Sequence, residues 1–178
     1  MALTADTQFR RALVIGSSGA GKSTFARKLA ALKGYRIIHL DQLYWEPGWV
    51  IAEPNVYRAR LQRALAADAW VMDGNNSSTF DLRLPRADAV IWIDRPRWVC
   101  FARVLRRIAT TYGQVREDMA PGCPEKIDLE FLRYVWTFHG KYYPRITAAL
   151  ARHDALPRTA ILRSDREAQA FLDAVAVA

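Results

Sequence analysis

The sequence predicts an α/β domain built on a parallel β-sheet, and three observations lead there. Short apolar runs ending in glycine or polar residues alternate with longer stretches of helical periodicity along the 178 residues. No internal repeat or low-complexity tract interrupts that alternation. The first apolar run, Ala12-Leu13-Val14-Ile15, leads into Gly16-Ser17-Ser18-Gly19-Ala20-Gly21-Lys22-Ser23 and then the helix-like Thr24-Phe25-Ala26-Arg27-Lys28-Leu29. A chain of this length is most economically one domain, residues 1–178.

Strand, G-x-x-x-x-G-K-[ST] and helix in that order form the pattern of a phosphate-binding P-loop. Glycines let the backbone curl until its N–H groups converge on phosphate oxygens, and the following helix N-terminus adds about half a positive charge. Gly16, Ser17, Ser18, Gly19, Ala20, Gly21, Lys22, Ser23 and Thr24 are therefore the expected nucleotide-binding residues. Lys22 reaches the terminal phosphates, and the Ser23 hydroxyl holds Mg²⁺.

The remaining elements follow in order. The first strand covers about residues 11–15, and its helix places Phe25, Leu29 and Leu32 on one face before ending near Gly34. A short second strand, 36–40, delivers Asp41 to the sheet edge where ligands bind in open α/β folds. Residues 41–49 then read as a loop carrying Tyr44, Trp45 and Trp49. Pro54 starts a helix to about Ala67, with Tyr57, Leu61, Ala64 and Leu65 inward and Arg58, Arg60 and Arg63 outward. The third strand, 69–72, closes on Asp73-Gly74-Asn75, an arrangement in which the carboxylate orients Mg²⁺ through water.

A polar stretch with Arg83 and Arg86 precedes the fourth strand, 89–93. The helix after Pro96 carries an apolar stripe of Trp98, Phe101, Ala102, Leu105, Ile108 and Ala109, with Arg103, Arg106 and Arg107 off it. Thr110 to Pro124 reads as a mobile excursion bearing Arg116, and Arg133 follows on the next helix. Arginines on a flap suit a phosphoryl-transfer enzyme that must exclude water and neutralise developing charge. An aromatic helix from about Asp128 should bend or break at Gly140 and Pro144. Within it His139 reads as a packed or surface residue. The fifth strand, 159–162, is followed by Arg163, which the loop places beside a nucleotide base, and by the capping box Ser164-Asp165-Arg166-Glu167.

Composition excludes several classes. Cys100 and Cys123 lie in no metal-binding spacing, which fits a reducing cytoplasm and no zinc. The polar Met1 to Arg11 and the short apolar run after it make neither a leader nor a membrane span. The net charge of +8 admits nucleic acid, yet no nucleic-acid-binding motif accompanies it and the arginines concentrate where phosphate would be handled. Either a monomer or a homodimer is compatible with the sequence.

Taken together, the chain resembles the P-loop kinases that include adenylate, shikimate and gluconate kinases. Over nearly its full length it is similar to bacterial topology modulation, or adenylate-kinase-related, proteins. The specific matches are His39-Leu40-Asp41-Gln42-Leu43-Tyr44-Trp45 with Pro47-Gly48-Trp49, Asp73-Gly74-Asn75, and Asp118-Met119-Ala120-Pro121-Gly122-Cys123-Pro124-Glu125. The resemblance implies a five-stranded parallel sheet of order 2-3-1-4-5, ATP as donor, and residues 107–130 as a lid. It further implies that Arg103, Arg107 and Arg116 act on the phosphates, and that Asp73 and Gly74 flank the acceptor with Asn75. Adenylate kinases follow Asp-Gly with an arginine that grips the acceptor phosphate. Asn75-Asn76-Ser77-Ser78-Thr79 lacks it, so Arg83 or Arg86 would have to replace it.

The expected activity is transfer of the γ-phosphoryl of Mg-ATP to a small-molecule acceptor, foremost a nucleoside monophosphate. A hydroxyl acceptor with Asp41 as base, or a nucleotide-dependent regulatory protein on DNA, are the alternatives.

Overall fold

The computed structural model describes residues 8–177. Residues 1–7 of the polar N-terminus read above lie outside the described residues. β1 (Arg11–Gly16) is the centre of a five-stranded parallel sheet, flanked by β5 (Trp70–Asp73) and β6 (Ala89–Ile93). Outside these lie β2 (Arg36–His39) and β7 (Thr159–Leu162), giving the order β2-β5-β1-β6-β7. The two numbers missing from that series belong to an unexpected hairpin, β3 (Trp45–Glu46) and β4 (Val50–Ile51), which forms a separate two-stranded sheet. With the hairpin set aside, the five strands stand in the spatial sequence 2-3-1-4-5. The register sets His39 and Val14 opposite Asp73, and Gly16 opposite Ile93, so the strand ends meet along one edge.

Alternation along β1 divides the core. Ala12 and Val14 face a cluster with Phe25, Leu29, Cys100, Val104, Phe171 and Leu172, while Leu13 and Ile15 face another with Leu61, Trp70, Phe80, Phe138 and Leu150. The first is covered by α1 (Lys22–Lys33), α5 (Arg97–Thr111) and α7 (Asp165–Val177). The second lies beneath α2 (Leu40–Tyr44), α3 (Pro54–Leu65), α4 (Phe80–Arg83) and most of α6 (Leu129–Arg152). Strands buried on both faces by helices are the reason that these runs read as continuously apolar. α1 ends at Gly34, φ 66°, where Tyr35 N donates to Ala30 O. Ser164 and Glu167 close the expected capping box: Glu167 N donates to Ser164 Oγ at 3.1 Å and Arg163 N to Glu167 Oε2 at 2.8 Å.

Three expectations are corrected. Residues 41–49 are not an irregular loop: α2 starts at Leu40, carries Asp41 in its first turn and runs into the hairpin. α6 is unbroken through Gly140 and Pro144, because Val135 and Phe138 before the proline and Ile146 and Leu150 after it are all buried and hold both halves in place. On α5 the buried stripe is Cys100, Val104 and Ile108, whereas Trp98 is 66% exposed and Leu105 44%. The sequence reading placed the stripe about one residue off, toward the large side chains.

Candidate active site

The 16–23 loop has the backbone that its glycines require. Gly16, Gly19 and Gly21 have φ of 139°, 79° and 97°. A Cβ on Gly16 would collide with the Ile93 carbonyl, and one on Gly19 with the Cys100 carbonyl where α5 begins. These contacts fold the loop between β6 and α5 and leave its amides at the head of α1. Lys22 Nζ donates to Ser17 O at 2.8 Å, holding the ammonium across the loop. Surrounding protein lowers the Lys22 pKa, partly offset by the Asp73 and Asp41 carboxylates. Ser17 Oγ is buried and without a hydrogen-bond partner among the described residues.

Asp73 is 4% exposed at the end of β5, and His39 Nδ1 lies 2.7 Å from its Oδ1. Burial alone would lower the His39 pKa, but the Asp73 hydrogen bond and charge outweigh it and raise it. Gly74, φ 130°, has no room for a Cβ because Leu40 packs against it. That close approach brings the start of α2, and so Asp41, beside the P-loop. Asp41 is exposed to solvent on one side and crowded by protein atoms on the other. The resulting loss of hydration raises its carboxyl pKa, with Lys22 pulling the other way.

The segment between α5 and α6 is folded over this edge. Gly113 N donates to Glu125 O and Glu125 N to Gln114 O, both at 2.8 Å, closing the segment at its neck. Its tip joins the hairpin: Gly48 N donates to Gly122 O at 2.8 Å, Trp49 Nε1 to Pro124 O at 3.0 Å, and the Cys123 thiol to Glu46 O at 3.2 Å. A hollow of about 580 Å³ beside the tip is lined by Gln42, Arg116, Glu117 and Met119 but by no P-loop residue, so the loop and not the hollow marks the site.

The arginines are distributed unequally. Arg103 lies beside Gly21 and pairs with Asp165, which also binds Arg95. Arg107 and Arg116 converge on the buried Glu125, with Nε to Oε2 distances of 2.9 and 3.0 Å, and Arg116 Nη1 also holds Asp118 at 2.8 Å. Burial pushes the Asp118 carboxyl up, but Arg116 and the Ser23 hydroxyl outweigh it and keep it below the ordinary range. Arg163 is two-thirds exposed, 4.0 Å from Asp94, which also pairs with His139 at 3.2 Å.

Arg83 departs from expectation. It has no exposed surface, donates to Gly74 O at 2.9 Å, to Asn76 O, and to Thr79 Oγ1 at 3.1 Å, and stacks on Phe80. Burial brings its pKa down to about 10, so it stays charged while bracing the turn after β5. As placed, it supplies no clamp for an acceptor phosphate. Arg86 turns to Leu65 O at 3.0 Å and supplies none either.

Lys22, Ser23, Asp41, Asp73, Gly74, Arg103 and Arg116 are thus brought to one edge, and Arg107 joins through Glu125. His39, Asp118 and Glu125, which the sequence offers only as members of the motifs shared with related proteins, and Tyr134, which carries no signal there, are further site neighbours.

The chain superposes on solved P-loop kinases and has their fold. Shikimate kinase from Acinetobacter baumannii matches with a TM-score of 0.57 at 16% identity, covering 93% of this chain and 90% of that one. Shikimate kinase from Bacteroides thetaiotaomicron gives 0.56 at 17%, covering 93% and 95%, and a gluconokinase from Sinorhizobium meliloti gives 0.53 at 18%, covering 94% of each. No family model and no curated protein matches. Among the described residues no helix is long and apolar enough to cross a membrane.

Proposed function

We propose that this protein transfers the γ-phosphoryl group of Mg-ATP to a hydroxyl group of a small molecule. The observation that carries the reading is the pairing of the P-loop with Asp41, which the packing of Leu40 on Gly74 sets at the start of α2 and whose charge acts on Lys22. The 16–23 amides, Lys22 and Thr24 would hold the triphosphate, and Ser23 and Asp73 would hold Mg²⁺. Held there, the cation would supply positive charge that offsets that of the phosphates. Hydroxyl oxygen attacks phosphorus, the bond to the departing diphosphate breaks, and Asp41 accepts the hydroxyl proton. Its raised pKa suits a base that must hold that proton. Arg103, beside Gly21, and Arg107 and Arg116 on the segment 107–130 acting as a lid, would neutralise charge on the transferred group. Arg163 would lie near the base.

A monophosphate acceptor, foremost on sequence, takes second place. Asp73-Gly74 and the lid arginines favour it, but Arg83 is committed to backbone. The nucleic-acid reading rests on net charge alone. Phosphorus NMR of the protein with Mg-ATP and a panel of acceptors tests the proposal. A new phosphomonoester is expected; a diphosphate formed from a monophosphate would restore the second reading.

A further inference from the structure

The acceptor side of the cleft differs from the donor side in what it offers a ligand. Tyr57 of α3 packs on Tyr44 of α2, the helix that carries Asp41, Tyr134 of α6 packs against the same core cluster, and Asn75 follows β5 by two residues. Neutral hydrogen-bonding groups dominate here. Both amide atoms of Asn75 and the Tyr57 hydroxyl are buried, and none makes a hydrogen bond among the described residues. Asn75 faces the Tyr134 hydroxyl, and Tyr57 faces Thr79, without the geometry of a bond. Buried polar groups are nearly always paired, so such a cluster beside a cleft marks where a ligand supplies the missing partners.

Aromatic rings back this cluster. Tyr44 packs on Tyr57 with centroids 5.2 Å apart, and Tyr134 on Tyr142 at 5.1 Å. Cations are withheld from it: among the described residues Arg58 pairs with Asp81 at 2.7 Å, Arg60 with Glu46 at 2.8 Å, and Arg83 and Arg86 with carbonyls. An anionic acceptor would lose hydration beside Asp41, Asp73 and Asp118, while Arg58, Arg60, Arg83 and Arg86 are already committed to other partners.

Resting on the kinase reading above, we infer that the acceptor is an uncharged, hydroxyl-bearing ring compound of the nucleoside type, recognised by Asn75 and Tyr57 and backed by the aromatic wall. The acceptor is then selected by neutral hydrogen bonds and by the absence of a counter-charge, whereas the donor is selected by the P-loop.

The test compares matched neutral and anionic acceptors under saturating Mg-ATP: nucleosides against their 5′-monophosphates, and monosaccharides against the corresponding sugar acids. The neutral member is expected to be favoured by about 100-fold or more in kcat/KM, with nucleosides the better series. Asn75→Ala should raise KM for the neutral acceptor about tenfold and leave KM for ATP unchanged. Tyr57→Phe should do the same without lowering Tm, since the hydroxyl it removes is unpaired. Equal or better transfer to the anionic members overturns the inference while leaving the kinase reading intact. An acceptor KM unmoved by both substitutions overturns the assignment of Asn75 and Tyr57. If Mg-ATP binds and no member of any pair is phosphorylated, the kinase reading itself falls and takes this one with it.

Discussion

The two halves of the cleft are built on different physics. The donor half is backbone: eight consecutive residues whose glycines allow φ values of 79° to 139° and whose amides, helix end and Lys22 all favour negative charge. Side chains from distant segments make the acceptor half. Asp41, Tyr57, Asn75 and Tyr134 come from four separate segments, and Arg58, Arg60, Arg83 and Arg86 near them are already committed to other partners. A phosphate cradle can be local because every phosphate looks alike, whereas an acceptor site has to be assembled in three dimensions to select one molecule among many.

Substitutions on the two sides should separate these roles. Lys22→Met is expected to have the largest effect, lowering turnover by about 10³-fold or more while far-UV circular dichroism stays unchanged. Unchanged turnover would mean that the P-loop is not the donor site. On the acceptor side, Asp41→Asn should lower kcat by about 10²- to 10⁴-fold with little change in KM for ATP. A kcat within about threefold of the parent would remove Asp41 as the base.

Asp41 also makes a stability prediction of defined sign. Its folded-state pKa lies above the unfolded value of about 3.9, so the folded protein binds this proton more tightly. Stability attributable to this group therefore falls as pH rises from that value through the raised one. Asp41→Asn removes the loss, and Tm at neutral pH should be equal to or higher than that of the parent. A lower Tm would show that the carboxylate is net stabilising.

Glu125 ties the segment between α5 and α6 together. Its carboxylate is 4% exposed and neutralises Arg107 and Arg116 together, while its backbone closes the neck of the segment. Glu125→Gln should cost about 3 kcal/mol by denaturant unfolding, because two partly buried guanidinium groups lose their counter-ion. A cost below about 1 kcal/mol would mean that the pair is solvated and the lid loosely held. Trp98→Ala should have the smallest effect, within about 0.5 kcal/mol, since the ring lies outside the α5 core stripe. A core-sized loss of about 3 kcal/mol would return Trp98 to the buried face where the sequence pattern put it.

Most of the architecture was legible because strand runs, helical stripes and terminal signals are local. The P-loop, Asp73-Gly74 after β5 and the capping box at Ser164 are short patterns whose meaning is fixed by chain geometry. The α5 stripe was misplaced because Trp98, Leu105 and Ala109 are apolar yet face outward, and hydrophobicity alone does not say which side a neighbouring helix covers. Gly140 and Pro144 read as places where the helix bends or breaks, since the burial of Ile146 and Leu150 that keeps α6 continuous comes from another part of the chain. The β3-β4 hairpin is too short to show periodicity, and its partner is the lid tip, some 75 residues away along the chain.

By itself, then, the sequence determined the α/β class, the strand that carries the P-loop and the edge of the sheet at which Asp41 and Asp73 stand. Those follow from nearest-neighbour constraints: glycine conformations, apolar periods and the parallel connections they force. Tertiary structure alone decided that Arg83 braces a turn, that Glu125 holds Arg107 and Arg116, and that Arg116 also holds Asp118. Each depends on which charges share a low-dielectric space, and a guanidinium binds whichever oxygen folding puts before it.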